Sequence, residues 1–310
     1  MREKLRLRDV IGQTMATTTL ERAIKHDRIS HAYLFHGPSG VGKETIARAF
    51  VHHLSCQDNF HVVESEKSIK IDTIRQIYQN CYIQHAGYAV WLIKDADTMT
   101  LQAANSFLKI VEEPPSDTIF ILLTDNMSRL LPTVISRCQV LHMPRLTDEV
   151  VLTLFSQRYV VEEQDKDRLP IVIRMAGGSI GRAIELWEGP VLERREWVLQ
   201  KLAKIPTMSV PEVLGLSLEW SEERETVESD LALMLNWYRD LWCVRAQMIG
   251  TLDNLDFEHD LVNLCKKYSV ESIDRIMREI YEVRINLQRN VRPRFLLGHL
   301  LLQMRKGALA

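Results

Sequence analysis

The chain has 310 residues, of which 46% are hydrophobic and 26% charged, as in folded proteins with more than one domain. Its 39 basic and 41 acidic side chains give a formal net charge of -2 at pH 7, which excludes a uniformly basic nucleic-acid coat and an acidic disordered chain. The five cysteines include no CxxC pair, so neither a disulfide framework nor a zinc ribbon is expected. Residues 1–8 are too charged for a secretory signal, and the apolar run at 295–304 is too short to cross a bilayer. We therefore expect a cytoplasmic globular protein.

Short apolar runs in the first half predict four buried strands, at residues 32–35, 89–93, 119–123 and 140–143. The second and third runs are apolar throughout, as expected when helices cover both faces of a sheet. Between them, an apolar stripe of helical period at residues 101–111 predicts a helix that ends before Pro114. This alternation of strand and helix predicts a parallel three-layer α/β domain over residues 1–145.

Beyond Pro144 the strand pattern stops and the apolar residues follow a helical period. Glycine and proline pairs at 177–178, 189–190 and 205–206 mark boundaries in this half. We predict a small helical domain at 146–205 and a second helical domain at 206–310, so the predicted fold class is α/β plus all-α. The acidic stretch at 212–230 is expected to face solvent.

Residues 37–43 read Gly-Pro-Ser-Gly-Val-Gly-Lys and match the phosphate-loop pattern G-x-x-x-x-G-K between a predicted strand and a predicted helix. The glycines Gly37, Gly40 and Gly42 let backbone N–H groups curl around phosphate oxygens, and the following helix N-terminus adds partial positive charge. Lys43 is expected to reach the outer phosphates. The alternative is a glycine-rich turn that binds nothing.

The two positions that hold Mg²⁺ in phosphate-loop enzymes are altered in this chain. Glu44 follows the lysine where Ser or Thr is required, with Thr45 one position late, and the strand at 89–93 leads into Lys94-Asp95, which puts lysine in place of the metal-supporting Asp. We hypothesise that Glu44 and Lys94 form an ion pair across the space that Mg²⁺ would occupy; alternatively, both side chains extend separately into the cleft. Either arrangement argues against efficient phosphoryl transfer, although weak binding of ATP or ADP remains compatible with the loop.

Three phrases carry a family resemblance: residues 31–38, the segment 102–115 that ends in Leu-Lys-Ile-Val-Glu-Glu-Pro-Pro, and the Ser-Arg-Cys motif within 131–139. With them, the chain resembles the AAA+ subunits of the bacterial DNA polymerase III clamp loader, most specifically from Val10 to about Arg182. The altered metal positions are similar to those of the delta-prime type rather than the tau/gamma motor type. The resemblance implies a phosphate-loop AAA+ domain, a helical lid domain and a C-terminal collar domain for oligomerisation.

The resemblance also implies roles for individual residues. Arg137 of the Ser-Arg-Cys motif is expected to act as an arginine finger in trans on nucleotide bound to a neighbouring motor subunit; the alternative is that it caps the short helix after Leu131-Pro132. Arg182 matches the second sensor arginine of the lid. The first sensor falls among three consecutive residues and stays open, namely Thr124, Asp125 and Asn126.

Many relatives carry a four-cysteine zinc module after the phosphate-loop helix, whereas here only Cys56 precedes a short connection at 57–66. The nearby histidines His52, His53 and His61 lack the spacing of zinc ligands and are expected to lie at the surface. No zinc or magnesium site, and no required cofactor, is therefore expected.

The resemblance implies a subunit that supports ATP-dependent loading of the sliding clamp onto primed DNA, within the DNA-directed DNA polymerase III holoenzyme, a nucleotidyltransferase. Its expected partners are tau/gamma motor subunits, the delta subunit, the clamp and primer-template DNA. One alternative is a catalytically active tau/gamma-like motor, and another is a different AAA+ replication loader. Glu44 and Lys94 discriminate between the first two interpretations, because a motor requires the metal that these residues oppose.

Overall fold

The computed structural model describes residues 6–65, 67–82, 87–220, 222–289 and 291–308. The chain divides into two compact units. Unit 1 comprises Met1–Glu163 and Ala176–Glu185, and unit 2 comprises Gln164–Met175 and Leu186–Ala310. The division into three domains at 1–145, 146–205 and 206–310 stays a prediction.

Within the described residues, unit 1 contains a five-stranded sheet whose neighbouring strands are all parallel, in the order β2-β3-β4-β1-β5. The strands are β1 (Ala32–His36), β2 (Phe60–Val63), β3 (Ala89–Ile93), β4 (Thr118–Thr124) and β5 (Gln139–His142). The four predicted strands are confirmed. Strand β2 was not predicted; it forms one edge of the sheet and lies within the predicted connection at 57–66.

Helices cover both faces of this sheet, as predicted for a three-layer α/β domain. They are α1 (Thr14–Lys25), α2 (Lys43–His53), α3 (Ile71–Cys81), α4 (Leu101–Glu112) and α5 (Pro132–Ile135). Alternate residues of β1 enter different buried clusters: Phe35 lies with Leu20 of α1 and Phe50 of α2. Leu34 lies in the opposite cluster with Phe107 of α4. The side-chain period of two along a strand therefore distributes apolar residues to both layers.

All regular elements after β5 in the described part of the chain are helical, as predicted. The α-helices among them are α6 (Asp148–Arg158), α7 (Arg168–Ala176), α8 (Ile180–Glu188), α9 (Val191–Lys204), α10 (Val210–Glu219), α11 (Arg224–Arg245), α12 (Glu258–Cys265), α13 (Val270–Gln288) and α14 (Pro293–Gly307). Residues from α9 to α14 share one hydrophobic core in unit 2. Among the described residues, no helix combines the length and the apolar character needed to cross a membrane.

The expectation that the acidic stretch 212–230 faces solvent is wrong for Asp230, which is fully buried in unit 2. Its carboxylate accepts hydrogen bonds from Arg194 Nε at 3.0 Å and from Trp220 Nε1 at 2.7 Å. A buried carboxylate needs such partners because an unpaired charge in the core is strongly unfavourable. Asp230 is therefore part of the core of this unit rather than of an exposed acidic face.

The sheet order determines where functional side chains of unit 1 can meet. Strand β1 lies between β4 and β5, and β3 lies beside β4. Since all these strands are parallel, their carboxyl ends lie along one edge of the sheet, where ligands of open α/β sheets bind. The loop after β1, Lys94 after β3 and Asp125 after β4 therefore converge at this edge.

Candidate functional site

The loop at 37–43 connects β1 to α2 and has the backbone geometry that the glycines predict. Gly40 and Gly42 adopt positive φ angles of 71° and 101°, which favour glycine. A side chain at Gly37 would place its Cβ 2.0 Å from the carbonyl oxygen of Met143. The N–H groups of residues 39–44 donate no hydrogen bond to any other described residue. Together with the α2 N-terminus, these free donors suit the oxygens of a phosphate group.

The ammonium of Lys43 contacts three oxygen atoms of its own chain. Its Nζ donates to the carbonyl oxygens of Gly37 at 2.6 Å and Pro38 at 2.8 Å, and it lies 2.5 Å from Asp125 Oδ1. The lysine side chain is only 9% exposed. An ammonium group has three donors, so these three oxygens use its capacity. A phosphate that contacts Lys43 must therefore compete with the carboxylate of Asp125.

Glu44 and Lys94 form the ion pair that the sequence hypothesis describes, with Lys94 Nζ 3.0 Å from Glu44 Oε2. Lys94 also lies 3.0 Å from Glu64 Oε2, and Arg48 Nη2 lies 2.6 Å from Glu44 Oε1. The four side chains thus form a continuous chain of alternating charge at the carboxyl end of β3. The hypothesis of an ion pair is confirmed, and the alternative of two separate side chains is not what the structure contains.

The surroundings stabilise the charged forms of both partners. Burial by itself raises the pKa of Glu44, but hydrogen bonds from Lys94 and Arg48 outweigh it, so this pKa lies below its ordinary value. Hydrogen bonds to Glu64 and then to Glu44 raise the pKa of Lys94, against a smaller opposing effect of burial. Both groups are consequently charged at neutral pH.

These residues do not suit the Mg²⁺ ion that phosphate-loop enzymes bind. Magnesium at this edge needs a hydroxyl after the loop lysine and a carboxylate after the second core strand. Here the hydroxyl is replaced by Glu44, and the ammonium of Lys94 stands where the carboxylate would be, already bound to two glutamates. A fixed positive charge repels a divalent cation, so the fold supplies the phosphate loop without its metal ligands.

A cavity of about 600 Å³ opens beside the loop within unit 1. Its lining includes Lys43, Glu44, Thr45 and Lys94. The N-terminus of α8 closes one side, where Gly181 N donates to the carbonyl oxygen of Gly40 at 3.1 Å. The volume is large enough for a small-molecule ligand.

The structure brings the loop residues and Thr45 together but places Arg182 differently. Arg182 lies on α8 and is exposed, and it is not among the described residues that line the cavity, although Ile180, Gly181 and Ile184 of the same helix are. Its backbone N–H is held by Ser179 Oγ at 3.1 Å. A sensor role for Arg182 stays a prediction.

The three candidates for the first sensor have different surroundings. Asp125 lines the cavity and pairs with Lys43. Thr124 is fully buried and donates to Asp97 Oδ1 at 2.7 Å. Asn126 accepts a hydrogen bond from the N–H of Ser128 at 3.1 Å and so caps a short 3-10 helix. Of these three, only Asp125 can contact a ligand in the cavity.

Arg137 lies just after α5 and is not among the described residues that line the cavity. Its Nη1 donates to the carbonyl oxygen of Thr133 at 3.1 Å, and its Nη2 lies 2.6 Å from Glu112 Oε1. The bond to Thr133 is the contact expected of a residue that caps this helix. The side chain nevertheless remains 37% exposed. An arginine finger acting on another chain requires such exposure, and this role stays a prediction.

Cys56, the one cysteine near the predicted connection at 57–66, belongs to a buried hydrophobic cluster of unit 1. Cys56 is buried, and its thiol donates to the carbonyl oxygen of Val51 at 3.4 Å. Burial raises the pKa of Cys56 to about 11, which keeps the thiol protonated at neutral pH. In the described ranges, no group of three or more His, Cys, Asp and Glu side chains is placed to hold a metal ion. The expectation of no metal site stays a prediction.

Sequence reasoning missed two members of the charged group. Arg48 lies four residues after Glu44 on α2, and this helical spacing could have indicated the pair. Glu64 follows the unrecognised strand β2, so no sequence signal placed it beside Lys94.

Comparisons with known proteins agree with this architecture. A family model described as "DNA polymerase III, delta subunit" matches residues 12–61 and 57–147. The chain is similar to DNA polymerase III subunit delta' of Bacillus subtilis, with 25% identity over 321 aligned residues that cover 93% of this chain and 94% of the relative. It is 27% identical to subunit delta' of Pseudomonas aeruginosa, over 68% of this chain and 70% of that protein.

Tau and gamma subunits of DNA polymerase III are similar to the chain as well. The chain is 28% identical to DNA polymerase III subunit tau of Bacillus subtilis over 207 residues, which cover 58% of this chain and 37% of that protein. A crystal structure of a DNA polymerase III gamma subunit-related protein from Thermotoga maritima superposes with a TM-score of 0.51 at 18% identity, over 93% of this chain and 99% of that one. At this identity the likeness supports the predicted AAA+ fold and nothing finer.

Proposed function

We propose that the chain is a delta-prime-like subunit of the bacterial DNA polymerase III clamp loader that does not hydrolyse ATP itself and supplies Arg137 in trans to a motor subunit. The match to the delta-subunit family model and the similarity to two delta' subunits support this proposal. In this role it supports ATP-dependent loading of the sliding clamp onto primed DNA. The observation that carries the proposal is the ion pair between Glu44 and Lys94, which stands in place of the magnesium ligands.

The chemistry of phosphoryl transfer explains why this pair matters. The transferred phosphoryl group develops negative charge on its oxygens, and Mg²⁺ normally neutralises that charge while it orients the phosphates. Here Lys94 is bound to two carboxylates, and Lys43 is bound to Asp125. The loop therefore offers free N–H donors but little uncompensated positive charge. We propose weak binding of ATP or ADP that requires neither magnesium nor zinc.

The placement of Arg137 supports a role on another chain. A guanidinium is planar and always charged, so it can neutralise a γ-phosphate as the bond to it breaks. Arg137 is partly exposed and held by Glu112 and Thr133 rather than by its own phosphate loop. We expect Arg182, which is exposed on α8, to have at most a minor role in a site without magnesium.

The partners in this proposal are tau/gamma motor subunits, a delta subunit, the sliding clamp and primer-template DNA, and the compartment it implies is the cytoplasm. Similarity that covers 93% of this chain and 94% of a delta' subunit supports this choice over a motor subunit, since the matched tau subunits are covered over only 37% of their own length. The helices of residues 206–310 correspond in the proposal to the collar domain through which subunits assemble.

The experiment is ATP hydrolysis by the purified chain with Mg²⁺, followed by hydrolysis of a complex reconstituted with Arg137→Ala. We expect no magnesium-dependent hydrolysis by the isolated chain, and in the complex we expect Arg137→Ala to lower hydrolysis while assembly persists. Arg129→Ala serves as a matched control, because Arg129 is a nearby exposed arginine at the end of the short 3-10 helix. Hydrolysis unaffected by Arg137→Ala would exclude the finger role.

A motor subunit of the same complex is the competing function, and the 28% identity to tau favours it. It predicts that the isolated chain hydrolyses ATP with Mg²⁺ and that Lys43→Ala abolishes this activity. Such a result would replace the proposal.

A further inference from the structure

We propose that Glu112 is a positioning residue for Arg137, whose carboxylate fixes the guanidinium in the orientation in which it meets the neighbouring chain. This inference rests on the proposed function, in which Arg137 acts in trans. It assigns a function to Glu112, the first acid of the Glu-Glu-Pro-Pro segment. The phosphate loop and the ion pair of Glu44 with Lys94 do not explain this segment.

Two contacts hold the guanidinium of Arg137 from different sides. Nη2 lies 2.6 Å from Glu112 Oε1, and Nη1 donates to the carbonyl oxygen of Thr133 at 3.1 Å. Because a guanidinium is planar, acceptors on its two terminal nitrogens fix both the position and the tilt of the plane. The group has five N–H donors, so these contacts leave others for a phosphate. An exposed arginine without such contacts would sample many rotamers.

The helices that carry Glu112 and precede Arg137 pack into the same buried cluster, the one that contains Leu34 and Phe107. Glu112 is the last residue of α4, and Arg137 follows α5 by two residues. Ile110 and Val111 of α4 and Val134 of α5 are all buried in this cluster. Since packed interiors resist deformation, the carboxylate and the guanidinium are held at a fixed separation by their backbones.

The residue after Arg137 adds a further anchor. Cys138 packs against the same cluster, and burial raises the pKa of Cys138 to about 12. Its thiol therefore stays neutral and behaves as an apolar side chain that holds the backbone of Arg137 against the core.

The position of Glu112 on its helix argues against a purely stabilising role. The C-terminal end of a helix carries partial negative charge, which disfavours acidic side chains and favours basic ones. Glu112 closes α4 and is followed by a second acid, Glu113. Stability of the helix alone would favour a lysine or arginine at this position. The carboxylate is instead explained by its contact with Arg137.

The test is a double-mutant cycle in the reconstituted complex, measured as the Arg137-dependent part of ATP hydrolysis. That part is the wild-type rate minus the rate of Arg137→Ala. We expect Glu112→Ala to lower it about fivefold, the loss that corresponds to one partly exposed ion pair. Glu112→Gln, which keeps an acceptor oxygen, should have a smaller effect. In the Arg137→Ala background, Glu112→Ala should change nothing.

The matched control is Glu113→Ala, which removes the same charge from the same helix end. Glu113 forms no ion pair with any other described residue, so hydrolysis should stay at the wild-type rate. Thermal unfolding of each variant chain and gel filtration of each complex accompany the assay. We expect unfolding midpoints within about 2 °C of wild type, because Glu112 and Glu113 are both exposed and an acidic side chain is unfavourable at the C-terminal end of a helix.

An unchanged or increased rate in Glu112→Ala would overturn the inference. An equal decrease with and without Arg137 would also overturn it, because the effect would then not pass through Arg137. Failure of the proposed function gives a different result, in which Arg137→Ala itself leaves hydrolysis unchanged.

A second readout needs no partner, because it uses nitrogen NMR of the isolated chain. The rotation of the Arg137 guanidinium should be slow in wild type and in Glu113→Ala, and faster in Glu112→Ala. Unrestricted rotation in the wild-type chain would contradict the inference even if Arg137 is essential.

Discussion

Lys94 Nζ lies 3.0 Å from Glu44 Oε2, and the same ammonium lies 3.0 Å from Glu64 Oε2. One lysine thus joins the helix that follows the phosphate loop to the end of an edge strand. In a phosphate-loop enzyme, a magnesium ion and its ligands occupy the corresponding place. Here Lys94 balances the charges of Glu44 and Glu64 without a metal ion.

The first prediction is that Lys94→Ala destabilises the chain. Removal of the ammonium leaves Glu44 and Glu64 without their shared cation, so like charges face each other. We expect the free energy of unfolding to fall by about 1 kcal/mol, measured by urea denaturation. Lys67→Ala is the control, since Lys67 is exposed and forms no ion pair with any described residue. Equal stability of the two variants would show that the pair contributes nothing.

The second prediction concerns the pH dependence of stability. Because the pKa of Glu44 is lowered in the folded chain, the stability that this group contributes is present above its ordinary pKa of about 4.3. It is lost as the pH falls through the lowered folded value. Denaturation between pH 7 and pH 2.5 should therefore show that wild type loses its advantage over Glu44→Gln in the acid range. A difference in stability between wild type and Glu44→Gln that does not change with pH in the acid range would contradict the assignment.

The same linkage has the opposite sign at high pH. The raised pKa of Lys94 means that its contribution is present below about 10.4, the ordinary pKa of lysine, and is lost as the pH rises through the folded value. Wild type and Lys94→Met should therefore converge in stability only at pH values above the ordinary pKa of lysine.

The third prediction is that Asp125→Asn strengthens nucleotide binding. The substitution removes the carboxylate that lies against Lys43 and frees the ammonium for a phosphate. We expect ADP to bind about five- to tenfold more tightly, measured by calorimetry in EDTA, because a competing charge-assisted contact is worth about 1 kcal/mol. In a Lys43→Ala background the gain should vanish, and a gain that survives there would refute the explanation.

The fourth prediction compares two glycines of the loop. A Cβ at Gly40 would lie 2.2 Å from Ser179 Oγ and 3.1 Å from Gly181 Cα, in addition to the strain of a positive φ angle. At Gly42 the φ angle is also positive, but nothing lies within 4 Å of the added Cβ. Thermal unfolding should therefore show a cost of about 1 kcal/mol for Gly42→Ala and about 2–4 kcal/mol for Gly40→Ala. Equal costs would mean that α8 moves away from the loop freely.

The sequence predicted the central sheet because its strands are covered on both faces and are therefore apolar throughout. It also predicted the pair of Glu44 and Lys94, since two altered ligand positions of one metal must lie close together. Strand β2 was missed because an edge strand is only partly covered, and Phe60-His61-Val62-Val63 has no clear alternation. Without that strand, Glu64 had no assigned place.

The buried charges show a different limit of sequence reasoning. Asp230 lies in an acidic stretch, yet its partner Arg194 is 36 residues away and its burial depends on packing between helices. Similarly, Asp125 was one of three adjacent candidates, and only the backbone path after β4 decides which of them points into the cavity. Local patterns do not contain such long-range geometry.

The most direct test of the central claim compares Lys43→Ala with Arg137→Ala in the same reconstituted complex, in which the motor subunits are wild type. If this chain's loop does not hydrolyse ATP and its arginine acts in trans, Lys43→Ala will retain the magnesium-dependent hydrolysis rate and Arg137→Ala will lower it. Gel filtration establishes that both variants assemble. A rate that falls with Lys43→Ala and stays unchanged with Arg137→Ala would contradict the account.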